Sequence, residues 1–301
     1  MSKLDIVCFG HAIVDVFITT DTSEKNGFLC YNVGDKVSIK DLRFDFGGGG
    51  LNTSVGFSRL GLKTGYIGKL GEDDNSRRIL EKFKKEKVEF LGKVHKDVFS
   101  GYSVILRTKQ GNRVILTYNG DNIHIPLNEI KKFNTKWVYF SSLLGKNFTH
   151  QKDLAKKLKN NGVMIAFNPS AYMIKAENVL PMIHLTDVLI LNKEEAELLV
   201  KKGTKKELLD RLNKLGPKII AITDGENVVS CFANGEYYFA QPKKIKGIEK
   251  TGAGDAFSSG FITGLIKNKP IEEAINLGLK ESLSVIKQLG ATNGLLKIKI
   301  K

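Results

Sequence analysis

For most of its length the chain alternates short apolar runs with amphipathic segments, and that rhythm narrows the fold more than any other feature. Asp5–Gly10, Lys63–Lys69, Trp137–Ser141, Val163–Asn168, Val188–Leu191 and Ile219–Thr223 have the length and β-branched content of strands. Helical spacing predicts helices over 52–60, 75–86, 151–160, 193–202, 204–215, 255–267 and 271–289. Strands alternating with helices imply a layered α/β fold around a largely parallel sheet. Residues 13–45 and 99–119 break the rhythm, because strand patterns follow one another there without a helix between them. Lys109-Gln110-Gly111-Asn112 reads as a hairpin turn, and Asn234-Gly235 as another. Hairpins set into an α/β core predict a small β-sheet lid. Its free strand edges could pair between subunits, which makes a homodimer through the lid an expectation. No repeat, low-complexity linker or composition shift divides the chain, so residues 1–301 are expected to form one domain.

Composition excludes several classes of protein. With 42% hydrophobic and 26% charged residues the chain is of globular type. No apolar run approaches the roughly 20 residues that span a bilayer, and strand pattern begins almost at Met1, without a cleavable signal. A cytoplasmic protein with no membrane partner is expected. The net charge of +15 comes from scattered lysines and arginines on polar helix faces, as in "EKFKKEKVEF" and "DLAKKLKNNG". No nucleic-acid motif accompanies them, so no nucleic-acid partner is expected. Cys8, Cys30 and Cys231 are isolated and odd in number, which implies neither a disulfide framework nor a zinc site.

The chemistry-bearing stretch is "KTGAGDAFSSGFITGL". Thr251, Gly252, Ala253 and Gly254 run into Asp255, and Phe257, Phe261 and Leu265 then follow at helical spacing. A helix N-terminus presents unpaired N–H groups and partial positive charge, and glycines let that backbone close around an anion. The run is not a Walker A loop, since no Gly-Lys-Ser/Thr closes it. An aspartate beside such a cradle can take the proton of a hydroxyl as its oxygen attacks phosphorus. Equally, an Asp there can simply cap a helix. A second element, "FGGGGLNTSVGFSRLG", sets Gly47–Gly50 before Asn52, whose amide both donates and accepts, as polyol recognition requires. No dinucleotide fingerprint opens the first βα unit at "CFGHAIVD". Asp15, just past the first strand, either binds hydroxyls or serves a turn.

Together these residues resemble the ribokinase-like (PfkB-type) carbohydrate kinase family. The N-terminal signature is carried by Gly48, Gly49, Gly50, Asn52, Ser54, Gly61 and Gly71, and the C-terminal signature by Gly252–Asp255 and onward to Gly260. Between them, "ILNKEEAELL" resembles the N-x-x-E element through Asn192 and Glu195, and "AITDGENVV" the T-x-G element through Thr223 and Gly225. "FNPS" at 167–170 stands at the Asn-Pro segment, and "LTYNGDN" resembles the strand entering the substrate-side loop. The order holds from residue 5 to about 295, so the resemblance spans nearly the whole chain.

The resemblance implies a three-layer α/β/α sandwich with a β-sheet lid, and ATP-dependent phosphorylation of a hydroxymethyl group on a small-molecule sugar. It implies Asp255 as general base, Gly252, Ala253 and Gly254 as anion hole, and Asp15, Gly48, Gly49 and Asn52 as sugar-binding residues. Asn192 and Glu195 would organise Mg²⁺, largely through water. Asn192, Thr223, Gly225, Gly252 and Gly254 would line the nucleotide groove. A nucleoside is the alternative acceptor; a sugar phosphate, for which Arg43, Arg107 or Arg113 would have to supply a cationic clamp, and a non-catalytic binding protein rank below it. The chain departs from the family at Glu249-Lys250-Thr251, usually Asp-Thr-Thr in the loop tied to K⁺ dependence in some relatives. It departs again at Ser170, commonly Arg, and near Leu279, often Asn.

Overall fold

The computed structural model describes residues 2–22, 24–108, 112–118, 120, 124–245 and 250–298. Its apolar runs assemble into a nine-stranded sheet in the order Glu236–Ala240, Val229–Ala233, Ile219–Thr223, Val188–Asn192, Met164–Asn168, Trp137–Ser141, Ile6–Phe9, Thr64–Ile67, Val88–Phe90. All neighbours are parallel except at the Val229–Ala240 hairpin, which adds antiparallel to one edge. That hairpin turns at Asn234 (φ 54°) and Gly235 (φ 83°), both left-handed, as a two-residue turn demands. The sheet order reverses at Ile6–Phe9. From there the chain builds outward to Thr64–Ile67 on one side and later to Trp137–Ser141 on the other. In such sheets the crevice beyond the strands' carboxyl ends at the reversal is where ligands bind.

Alternation along the strands gives the sheet two buried faces. Ile6, Cys8, Tyr139, Ala166, Val188 and Ala221 face one core with Phe57, Phe83, Phe257 and Phe261 from the helices Gly49–Arg59, Asp74–Lys85 and Ala253–Ile266. Val7, Phe9, Val138, Phe140, Ile165, Phe167 and Ile220 face the other, with Phe148 and Leu208 from Gly145–Asn160 and Lys205–Asn213. The result is the three-layer α/β/α sandwich expected from the sequence.

The lid is present as a separate four-stranded sheet in the order Arg113–Tyr118, Gly101–Arg107, Ile13–Thr20, Ile39–Gly47. Its central pair is parallel and its outer pairs antiparallel. Asp15, Phe17, Ser103, Ile105, Ile115 and Thr117 line a cleft on one face. The other parity leaves Leu42, Phe44, Leu116 and Tyr118 exposed. Of the expected 109–112 turn, residues 109–111 lie outside the described residues, as do Glu249 and most of the "NGDN" loop.

Candidate active site

The helix Ala253–Ile266 starts against Gly252, which is left-handed at φ 79°. A Cβ on Gly252 would stand 2.6 Å from the Ala291 methyl, so glycine is required there by conformation and by space. Gly254 differs: nothing lies within 4 Å of the position its Cβ would take. The first intrahelical bond runs from Ala256 N–H to the Gly252 carbonyl at 2.9 Å, so the Gly254 and Asp255 amides have no intrahelical acceptor. These groups face open space at the positive end of the helix.

A second helix start meets the first. Gly48, at φ 92°, caps Gly49–Arg59 and lies against the His11 carbonyl, which accepts the Leu51 N–H at 3.0 Å. A methyl on Gly49 would be 3.0 Å from Ser141 Cβ and 3.4 Å from Asp255 Oδ1. The bare backbone therefore brings this helix up to the aspartate. Asn52 Nδ2 donates to Asp255 Oδ2 at 2.8 Å across 203 residues of sequence. Burial raises the Asp255 carboxyl above its ordinary range, and the Asn52 bond pulls it partly back. Asn52 Oδ1 and the Ser141 hydroxyl are buried with no hydrogen-bond partner among the described residues. Each lines a cleft that ends on Asp255.

The acceptor-side cleft is bounded by Asp15, Gly47, Gly48, Gly49, Asn52, Thr251, Gly252 and Asp255, and roofed by the lid. Asp15 sits on the Ile13–Thr20 strand opposite Asp45 and beside Ser103. Burial pushes its carboxyl up to about 6, the Ser103 hydroxyl lowers it, and the Asp45 carboxylate raises it further. Of the arginines considered as a phosphate clamp, Arg113 lines this cleft, whereas Arg43 pairs with Asp45 at 3.3 Å.

On the far side of the same turn, Ala253 and Gly254 line a second cleft with Asn192, Thr223, Gly225 and Lys250. Gly254 thus lines this cleft and Asp255 the one under the lid, so a single helix start contributes to both. Lys250 reaches Glu226 at 3.8 Å on the exposed rim. Asn192 and Glu195 form a capping box: Asn192 Oδ1 accepts from Glu195 N–H at 2.8 Å, and Glu195 Oε2 from Asn192 N–H at 2.7 Å. Glu195 Oε1 also accepts from Ala171 N–H at 3.2 Å. Burial nevertheless holds the Glu195 carboxyl up at about 6, with the Glu194 and Asp255 carboxylates adding to the rise. A divalent cation between Glu195 and Asp255 would relieve that unfavourable field. Each carboxylate oxygen keeps a lone pair for a bound water, so the donor set fits a hydrated Mg²⁺. Among the described residues no three His, Cys, Asp or Glu converge into a closed cage.

Sequence reasoning missed the residues contributed by other strands. Ser103 reaches Asp15 only through the parallel lid register. Ser141 arrives at the carboxyl end of a central strand, beside Tyr139, whose buried hydroxyl donates to Asn168 Oδ1 at 3.2 Å. Asn168 Nδ2 in turn donates to the Ile190 carbonyl at 2.8 Å. The one sequence signal for Ser141 was a polar residue ending an apolar strand. Ser170, where the family commonly has Arg, caps the helix Ala171–Ala176.

Two clefts thus share one glycine-rich helix start, with the Asp255 carboxylate lining the first. Residues 3–298 match the model of the pfkB family carbohydrate kinases, and the chain belongs to that family. A protein of Archaeoglobus fulgidus named an uncharacterized sugar kinase is 30% identical over 250 residues, 80% of this chain and 98% of its own length. The ribokinase of Arabidopsis thaliana, solved with ribose and ATP, superposes with a TM-score of 0.82 at 20% identity, over 98% of this chain and 96% of its own. The nucleoside kinase of Methanocaldococcus jannaschii gives 0.77 at 20%, over 98% and 95%. The two structures share the fold. The protein is an enzyme, a sugar or nucleoside kinase. Among the described residues no helix is long and apolar enough to cross a membrane.

Proposed function

We propose that the protein transfers the γ-phosphoryl group of ATP to a hydroxymethyl group of a small sugar, as one kinase domain over residues 1–301 working in the cytoplasm. The observation carrying this reading is Asp255, which lines the lid-side cleft, follows Gly254 of the second cleft, and is hydrogen-bonded to Asn52. The acceptor lies on Asp15, Asn52 and the backbone of Gly48 and Gly49, and its hydroxyl points at Asp255. As that oxygen bonds to the γ-phosphorus, its proton passes to the Asp255 carboxylate. The bond from phosphorus to the β–γ bridging oxygen breaks, and ADP leaves with those electrons. Backbone N–H groups over Gly252–Gly254 hold the charge on the transferring oxygens. Asn192 and Glu195 would hold Mg²⁺ through water, and the ion would supply positive charge against the triphosphate. Thr223 and Gly225 border the nucleotide.

A nucleoside acceptor is the second reading, favoured by the apolar roof of Phe17, Ile105 and Ile115 over the polar floor. The exposed outer face of the lid and the edge position of Arg113–Tyr118 in its sheet favour a homodimer, which sedimentation at high concentration tests. The activity test crosses sugars, sugar phosphates and nucleosides with ATP, with and without Mg²⁺ and K⁺. Phosphorylation of none of them would contradict the proposal.

A further inference from the structure

Among the residues lining the nucleotide-side cleft, Val229, Ile245, Phe257, Leu279, Leu283 and Ile286 are apolar. Leu279, Leu283 and Ile286 stand at i, i+4 and i+7, one apolar stripe on and just past the helix Ile271–Val285. Phe257 lies one turn into the helix whose N-terminus faces the phosphates. Ser282 is the one side chain with a hydrogen-bonding group that the helix Ile271–Val285 brings to this lining; Asn192 and Thr223 are the other uncharged ones among the described lining residues. The backbone offers little more. Phe257, Leu279 and Leu283 sit inside helices, Val229 pairs with Ala240 in the hairpin ladder, and Pro242 has no N–H. Groups that carry charge or can hydrogen-bond a phosphate (Lys250, Glu226, Lys243, Asn192, Thr223 and the Gly254 turn) line the rest of the cleft, with Lys250 and Glu226 on its exposed rim.

Resting on the kinase reading above, we infer that the donor site reads the triphosphate and not the identity of the base, so that nucleoside triphosphates in general serve as donors. Discrimination between bases is large only where a site is built to hydrogen-bond one edge pattern and leaves buried groups unpaired with the wrong one. An apolar slot carries no such penalty. It still rewards area, so the larger purine ring binds ahead of a pyrimidine. ATP, GTP and ITP should therefore differ by no more than about 10-fold in kcat/KM, with CTP and UTP about 10-fold lower. This gives the Leu279 position a defined role: it keeps the slot free of a polar reader.

The test uses the purified full chain. Calorimetry with the β,γ-imido analogues of ATP and GTP measures binding without turnover, and kcat/KM for five triphosphates is measured with a fixed acceptor. Failure of both analogues to bind would contradict the kinase reading itself. Binding of the ATP analogue more than 100-fold tighter than the GTP analogue would leave that reading intact and overturn this one. Leu279→Asn places an amide against the base and should widen the spread between donors by at least about 10-fold. Leu279→Ala enlarges the slot without a polar group and should weaken all donors alike. An unchanged spread in folded Leu279→Asn, or a widened one in Leu279→Ala, would overturn the inference.

Discussion

Replacing Gly252 and Gly254 by alanine should fail in opposite ways, although one residue separates them. Gly252 is left-handed at φ 79°, a region that costs an L-residue about 1–2 kcal/mol. Its new methyl would also lie 2.6 Å from Ala291 Cβ and 2.8 Å from Ala291 Cα, an overpacking that costs about 1–3 kcal/mol. Gly252→Ala should therefore lose about 2–5 kcal/mol in all and melt roughly 3–8 °C lower. Gly254 lies in the first helical turn with open space where a Cβ would go. Alanine there gains up to about 1 kcal/mol of helix stability, so the melting temperature should hold or rise. Its methyl, however, projects into the nucleotide-side cleft and holds the phosphate off the backbone amides. Loss of a charge-assisted hydrogen bond of about 1.5–3 kcal/mol predicts ATP affinity about 10–100-fold weaker. Differential scanning calorimetry and ATP titration on both variants separate the effects. Normal ATP affinity in Gly254→Ala would show that the turn is no phosphate cradle. A wild-type melting temperature in Gly252→Ala would refute the conformational argument.

Asn52→Ala should weaken acceptor binding by about 1–3 kcal/mol and ATP binding much less, since Asn52 Oδ1 opens into the acceptor cleft; equal losses in paired titrations would make its role structural. Glu281 is fully buried, accepts from Leu296 N–H at 3.1 Å, and is pushed up to about 7 by burial against the pull of Arg59. A carboxyl raised in the folded state stabilises below its unfolded value near 4.5, and that contribution is lost as pH rises towards 7. Glu281→Gln should therefore gain on the wild type by about 1–3 kcal/mol between pH 4.5 and 8 in urea melts, and a constant difference would contradict the burial argument. Asp15 and Glu195 add to the same slope in both proteins and cancel in that comparison. Hydrogen exchange within 13–45 and 99–119 should slow when a confirmed acceptor binds; unchanged exchange would count against a closing lid.

Much of this architecture is legible from local chemistry. Trp137–Ser141 and Ile219–Thr223 have the bounds that their apolar runs predict. Three helices with side-chain caps start within one residue of expectation: Asp74–Lys85 behind Asp73, Lys193–Val200 behind Asn192, and Lys205–Asn213 behind Thr204; the short Ala171–Ala176 helix behind Ser170 was not expected. Among starts without a side-chain cap, Ile271 falls where expected behind Pro270, but others are displaced. Gly145–Asn160 begins six residues before the expected 151 because Leu144 gives no capping signal. Gly49–Arg59 takes two glycines into its first turn, which propensity disfavours and close packing on Gly10 compensates. The last helix stops at Val285 rather than 289, where the chain turns back so that Ala291 can pack on Gly252. In the site, the glycine-rich turns and Asp255 carry local signals. Ser103 does not, because only strand register brings it to the cleft, and Ser141 shows only as a polar residue ending an apolar strand.

If Asp255 takes the acceptor's proton, Asp255→Asn should separate binding from transfer. Asparagine keeps the size of the side chain and caps helices about as well, so folding and ATP binding should persist. The carboxylate that receives the proton is gone, so single-turnover transfer with a confirmed acceptor should slow by about 10²–10⁴-fold. A folded Asp255→Asn protein that binds both ligands and transfers phosphate at the wild-type rate would contradict the account.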